Sequence, residues 1–474
     1  MTSGAAQKIS NPAEQVNPST HSGLKAGACS GWTLSGAFVL RPKGRSVGAV
    51  EWVKKLVWFY FLLLLAEGIL RKWVVPSWSP YLILARDPVV ITIYAAAARG
   101  RLFPRDTFVG IIFCLLFISL AASIFNGRSN LLVTLYGARA YFLHLPLIFI
   151  IPAVFNETDV KKIGGAVLAI SAPLAVLAAF QFTAPPNHWL NAAAGGGMDT
   201  AVSLYGRVRP SGIFSFTTGM AEFAALASAF AACAAFSENG KTTSFLVPLA
   251  ALLAIIVFSG SRLLLFMVLI VFAMLVIAVL ARPARSARLA GLLITAVVMF
   301  WALSLSQPFK SGTNAAHVRM KRAFLEESAG HGGFVDRYVV EYKRLMDTLN
   351  DIPPLGYGMG YGTRAASVIL GRANEFPLFE QEWPRIIAEF GLLPGLAYII
   401  FLRIGLVLFL FSASVKKLFS GDMLPLLLFG ACAPLVGGGN LGVSTTLGFA
   451  VFGAGLCLAA CRGPSGRAPA PRKK

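Results

Sequence analysis

The chain has 474 residues, and its 42 Lys and Arg against 21 Asp and Glu give a formal net charge of +21. It is 56% hydrophobic and only 13% charged, where a soluble domain carries about a quarter charged residues, so an ordinary soluble globular fold is excluded. The positive charge argues no better for nucleic acid, because the basic residues gather at the ends of apolar runs, where a membrane protein carries them.

In chain order, residues 1–48 are rich in Gly, Ser, Ala and Asn and contain no apolar run long enough for a signal sequence. They read as a disordered cytoplasmic tail. Beyond them, runs of about twenty apolar residues recur, the length that crosses a hydrocarbon core as helix. Short alternating strands, the mark of a β-barrel, are missing. The expected fold is all-α, a polytopic transmembrane helical domain over 49–461 with about twelve spans. They fall at 51–70, 78–98, 107–125, 131–154, 162–181, 213–236, 243–259, 263–281, 289–305, 385–411, 423–438 and 441–461. A basic cytoplasmic tail, 462–474, closes the chain.

With the N-terminus inside, alternate connections share a side. The inner ones carry Arg99, Arg101 and Arg105, then Lys161 and Lys162, then Arg282, Arg285 and Arg288, then Lys416 and Lys417. Arg71-Lys72 is the basic pair left outside in a short connection. Charge bias and span count therefore agree on cytoplasmic termini. The six cysteines show no CxxC spacing and lie, Cys29 apart, in or beside apolar runs, so they read as packing residues. No His, Cys and carboxylate spacing suggests a metal site, and no cofactor is expected.

Two connections are long, about 182–212 and 306–384, and both fall outside, the second as a large periplasmic loop between spans 9 and 10. Connections of this length are commonly functional or disordered. The second holds Asp336-Arg337-Tyr338, Tyr342-Lys343-Arg344 and a glycine-tyrosine segment at 356–362, and its mixed aromatic and charged content predicts an ordered, membrane-lying subdomain. Within the spans, Glu67, Asp87, Arg139, His144, Glu222, Glu389 and Arg403 are costly in lipid and hence functional suspects. Glu67 and Arg71, four apart near a helix end, read more simply as an ion pair. Arg86-Asp87-Pro88 reads as fixing a helix, and His144 as a satisfied core histidine.

Three constellations point outward. Phe258-Ser259-Gly260-Ser261-Arg262 sits at a turn between spans, where a guanidinium fork suits a phosphate and an interfacial anchor is the plain alternative. Arg207-Val208-Arg209-Pro210-Ser211-Gly212 closes the first long connection as a second anion candidate. Glu380-Gln381-Glu382-Trp383-Pro384-Arg385 closes the second, with Pro384 suited to a helical first turn. Glu380 and Glu382 are then expected just outside that helix, at a water-facing mouth, as general-base candidates or simple caps. Arg385 and Glu389, four apart, share a face and suit an ion pair.

On these residues the chain resembles the O-antigen ligase and polysaccharide polymerase superfamily of bacterial membrane glycosyltransferases, over about residues 50–460. The resemblance rests on Ser-Gly-Ser-Arg at 259–262, Arg-Pro-Ser-Gly-Ile-Phe at 209–214, and a long loop opening with Arg319 and Arg322. It rests also on Pro354 to Gly360 and on Glu389-Phe390-Gly391-Leu392-Leu393. It implies transfer of a glycan from a polyprenyl-pyrophosphate-linked oligosaccharide to a glycan acceptor at the outer face of the bacterial inner membrane, beside other polysaccharide assembly proteins. It implies no metal, a base at Glu380 or Glu382, and pyrophosphate or glycan held by Arg207, Arg209, Arg262, Arg319, Arg322, Arg337 and Arg385. Ligases of this kind carry a histidine where this chain has Glu380, which tilts the expectation to a polymerase of exopolysaccharide or O-antigen repeats. A ligase, or a transporter or flippase of glycan lipids, is the alternative.

Overall fold

The computed structural model describes residues 47–462 apart from 126–129, 198–206, 238–242, 329–333, 371–378 and 380. Nearly all of both expected tails, and Glu380 itself, lie outside the described residues. What is described is helical, with no β-strand among it. The chain runs α1 Val47–Ile69, α2 Pro76–Arg99, α3 Thr107–Phe125, α4 Leu131–Val154, α5 Glu157–Thr183 and α6 Thr217–Ala235. It continues through α7 Thr243–Ser259, α8 Arg262–Leu280 and α9 Pro283–Leu303, then the polar helices α10 Gln307–Ser328, α11 Phe334–Thr348 and α12 Arg364–Leu370. It ends on α13 Glu382–Phe390, α14 Leu392–Phe419, α15 Leu424–Gly438 and α16 Ser444–Ala460. Among the described residues, eight helices are long and apolar enough to cross a membrane, and α7, α15 and α16 supply shorter apolar ones. The protein is an all-helical membrane protein.

The centre of the bundle is α16, buried along almost its whole length against α15, α6 and the second half of α4. Small residues allow that approach: Gly453 lies against Cys432 and Gly455 against Ile151, too close for a side chain to intervene. At the other extreme α9 buries none of its residues, and Leu293, Ile294, Val297 and Trp301 face outward from the bundle.

The expected long outer loop is largely helix, α10 to α12. The run expected as one span at 385–411 is instead two helices, a correction with a local cause. Gly391 (φ +84°) breaks α13 from α14 and packs on Gly356 (φ +73°), where an added Cβ would meet the Gly391 nitrogen at 2.3 Å. A side chain at either glycine would force this backbone crossing apart.

Contacts sort the connections into two ends. At one, Lys54 pairs with Asp159 at 3.0 Å, and Arg282, Arg285 and Arg288 donate to carbonyls of Phe419, Gly421 and Phe236. At the other, Arg71 meets Ser215, Gln181 meets Gly212, Ser123 accepts from the Met359 nitrogen and Trp383 donates to the Gly437 carbonyl. All three arginine-bearing constellations fall at this second end.

Candidate functional site

The hairpin between α7 and α8 is built by its own serines. Ser259 Oγ accepts from the Ser261 nitrogen at 3.1 Å, and Ser261 Oγ caps α8 by accepting from Leu264 at 3.4 Å. Gly260 takes φ +49° between them. Both serine hydroxyl oxygens accept from the backbone of the turn, and Arg262 stands exposed at the first position of α8.

Over this turn lies α10. Phe309, Gly312, Ala316 and Arg319 recur at helical spacing and share one face. Phe309 packs edge-on against Phe258, with ring centroids 6.1 Å apart. Gly312 lets the helices close, since a Cβ there would stand 2.9 Å from a Val257 methyl. That seats Arg319 on the hairpin, its Nη1 3.9 Å from where a Gly260 Cβ would be. The Nη1 is buried with no hydrogen-bond partner among the described residues. Burial, and then the like charge of Arg262, push the Arg319 guanidinium below its ordinary pKa. Arg322 is exposed one turn further along.

The first long connection joins the same corner. Arg207 donates to the Thr183 carbonyl at 3.0 Å and lies over Phe182, whose ring packs on Phe258. Arg209 is half-buried two residues on. Beside it Lys72, 2% exposed, donates to Ser211 Oγ at 2.8 Å and to the Gly212 carbonyl at 3.1 Å. Lys72 belongs to the site end although it was not among the expected site residues. Its signal was present: Arg71-Lys72 is the basic pair that defied the positive-inside pattern.

Arg385 and Glu382 sit elsewhere, in a closed ionic hub. The expectation that Glu382 lies outside its helix at a water-facing mouth is corrected. It is the first residue of α13, 3% exposed, and paired with Arg385. Its Oε1 accepts from Arg403 at 2.6 Å and from the Leu441 nitrogen at 3.2 Å. Arg385 also donates to Tyr141 at 3.2 Å and to Asn440 at 2.9 Å, and its Nε stands 3.7 Å from Glu389. Glu389 accepts from the nitrogens of Gly360 and Gly362, at 2.7 and 2.9 Å. These two carboxylates cross-link α13 to its neighbours through arginine and backbone donors. The Arg337 side chain, like Glu380, lies outside the described residues.

A second network lies deeper at the same end. Glu67 pairs with Arg71 and Arg86, each at 3.2 Å, and accepts from Ser444 at 3.1 Å. Asp87 pairs with Arg139 at 2.7 Å and with His144 at 3.0 Å, and His144 reaches Tyr60 at 3.0 Å. Arg86-Asp87-Pro88 therefore restarts α2 after the turn at 83–86 and also knots two ion pairs. Arg71, Arg139 and Arg403 all occur in π-helical turns, Leu70–Val74, Arg139–Leu143 and Ile399–Ile404. Among the described residues no group of His, Cys, Asp or Glu could hold a metal ion.

The site end thus pairs a rigid ionic floor with a basic corner formed by Arg207, Arg262, Arg319 and Arg322 around Phe182, Phe258 and Phe309. No protein-family model, curated protein or solved structure matches the chain.

Proposed function

We propose that this protein is a membrane glycosyltransferase that extends a glycan from polyprenyl-pyrophosphate-linked oligosaccharide repeats at the outer face of a bacterial inner membrane. The observation that carries this reading is the Arg262–Arg319 pair on the Gly260 hairpin. Two guanidiniums brought to one hairpin, one with a buried donor that meets no acceptor among the described residues, form a cradle for a multiply charged anion. The reading places about twelve spans in the membrane, counting α1 and the shorter apolar helices, and sets the arginine corner outside because the opposite end carries the short basic connections.

In this mechanism the acceptor hydroxyl oxygen attacks the anomeric carbon as the bond from that carbon to the pyrophosphate oxygen breaks. The hydroxyl proton passes to Glu380, the base expected from the sequence, and the electron pair leaves on polyprenyl pyrophosphate. Arg262 and Arg319 stabilise the charge that grows there, which is worth most in the transition state. Glu382, Arg385 and Arg403 hold the platform that the second outer segment stands on.

Purified protein, a lipid-linked repeat unit and mass analysis of chain length test the reading. Wild type lengthens the glycan; Arg262→Ala does not, and Arg262→Lys recovers little because an ammonium lacks the planar fork. Full polymer from Arg262→Ala membranes refutes the assignment of the corner. Movement of the lipid-linked unit across the bilayer, with no new glycosidic bond, would identify a flippase instead.

A further inference from the structure

A separate cleft opens at the same end, between the turn after α1 and the first long connection. Its volume is about 510 Å³, and its walls include Lys72, Trp73, His188, Trp189, Asn191 and Gly196. That volume suits a small-molecule ligand. Trp73 Nε1 donates to the Trp189 carbonyl at 3.0 Å, which ties the two walls together. Trp189 leaves 66% of its surface exposed at the rim.

Asn191 supplies the independent sign of a ligand. It is 2% exposed; its Nδ2 donates to the Pro185 carbonyl at 3.0 Å, while its buried Oδ1 has no hydrogen-bond partner among the described residues. Asn191 lines the cleft, and an amide oxygen that accepts nothing among the described residues is left to accept from an occupant. Among the described residues the lining includes no carboxylate, which disfavours a cation. The cleft's one ammonium, Lys72, already donates to Ser211 and Gly212, with its Nζ 4.7 Å from the Trp73 ring centroid, so a polyanion is not favoured either. Indole faces, an amide acceptor and a bare glycine wall match a neutral ring with C–H faces and hydroxyl donors.

We infer that this cleft binds a neutral saccharide, stacked on Trp189 and donating a hydroxyl to Asn191 Oδ1. That the saccharide is part of the growing glycan rests on the glycosyltransferase reading; that the cleft takes a sugar does not. The test uses full-length protein in detergent, with maltotriose, mannotriose, galactotriose and the trimer of N-acetylglucosamine as probes in saturation-transfer NMR. At least one trisaccharide receives saturation, and Trp189→Ala weakens its binding by about tenfold, the scale of one lost stacking contact. Asn191→Leu weakens it similarly, whereas Arg262→Ala leaves it unchanged. Trp189→Ala removes a mostly exposed side chain, so it keeps the test decisive even if the Asn191 variant does not fold. No binding of any trisaccharide to the wild type, or binding that survives Trp189→Ala, overturns the inference. Trisaccharide binding in a protein that forms no glycosidic bond sinks the glycosyltransferase reading and leaves the cleft standing. Glycan transfer with an empty cleft does the reverse.

Discussion

Arg319→Leu separates a ligand-binding arginine from a structural one. Arg319 keeps a buried Nη1 without an acceptor among the described residues and lies under the charge of Arg262. An unsatisfied buried donor costs about 1–3 kcal/mol, and because Arg319 is only half-buried the low end applies. Leucine keeps much of the apolar stem and removes the donor and the like charge, so the variant should be as stable as wild type or about 1 kcal/mol more stable. The order reverses when the anion is added. A ligand at a hundredfold its dissociation constant stabilises the folded state by about 2.7 kcal/mol. Wild type should gain on that scale from inorganic pyrophosphate, and the variant close to nothing. The assay is thermal melting in detergent with pyrophosphate, against sodium chloride at matched ionic strength. A variant that melts well below wild type without anion would make Arg319 a structural residue. Equal stabilisation of both proteins by pyrophosphate would remove it from the site.

The hub predicts the opposite pattern. Glu382→Gln leaves Arg385 and Arg403 facing a neutral amide and should cost about 3–5 kcal/mol, read as a lower melting temperature at every anion concentration; wild-type melting would show that the hub does not hold the bundle. Gly312→Val pushes a side chain toward the Val257 methyl at 2.9 Å and lifts α10 from the hairpin, so the bundle should persist while the pyrophosphate shift shrinks. An undiminished shift would free Arg319 from any dependence on that packing. Reporter fusions at Ala192 and Ser328 should signal from the periplasm, and those at Ser286 and the C-terminus from the cytoplasm. A cytoplasmic signal at Ser328 removes the outer-face mechanism.

Much of the helical architecture was legible because its cause is one-dimensional. A run of apolar residues long enough for the bilayer, bounded by arginines, is a property of consecutive residues, and α3, α4 and α8 begin within one residue of the expected spans. Breaks inside a run were less legible. Gly391 and Gly356 lie 35 residues apart, and only their packing shows that the chain must turn there. The Glu67–Arg71 and Arg385–Glu389 pairs were readable from their four-residue spacing. The approach of Arg319 to Arg262 was not, since it depends on Gly312 admitting α7 across a gap of more than fifty residues.

The inward turn of the buried cations has its own reason for being hidden. A soluble helix shows its register through alternation of polar and apolar faces, but a run such as 399–411 is apolar on all sides of its one charge, Arg403. An added residue per turn leaves no trace in such a pattern. In the folded chain that extra residue rotates one side chain relative to the helix on either side of it. The turn at Ile399–Ile404 thereby brings Arg403 to Glu382, and the turn at Arg139–Leu143 brings Arg139 to Asp87 while its neighbours stay in apolar packing. Such ions are tolerable in the bundle only if each finds its partner, because the cost of removing an isolated charge from water is several kcal/mol. Ser444 shows how far this requirement reaches: it donates to Glu67, 377 residues away, and receives Arg86 from a third helix. The networks therefore fasten the ends of distant helices at the end where the hairpin, α10 and the first long connection meet. The basic corner itself is held by apolar packing, Phe309 on Phe258 and Gly312 against Val257, so its two guanidiniums are positioned by contacts separate from these ion pairs.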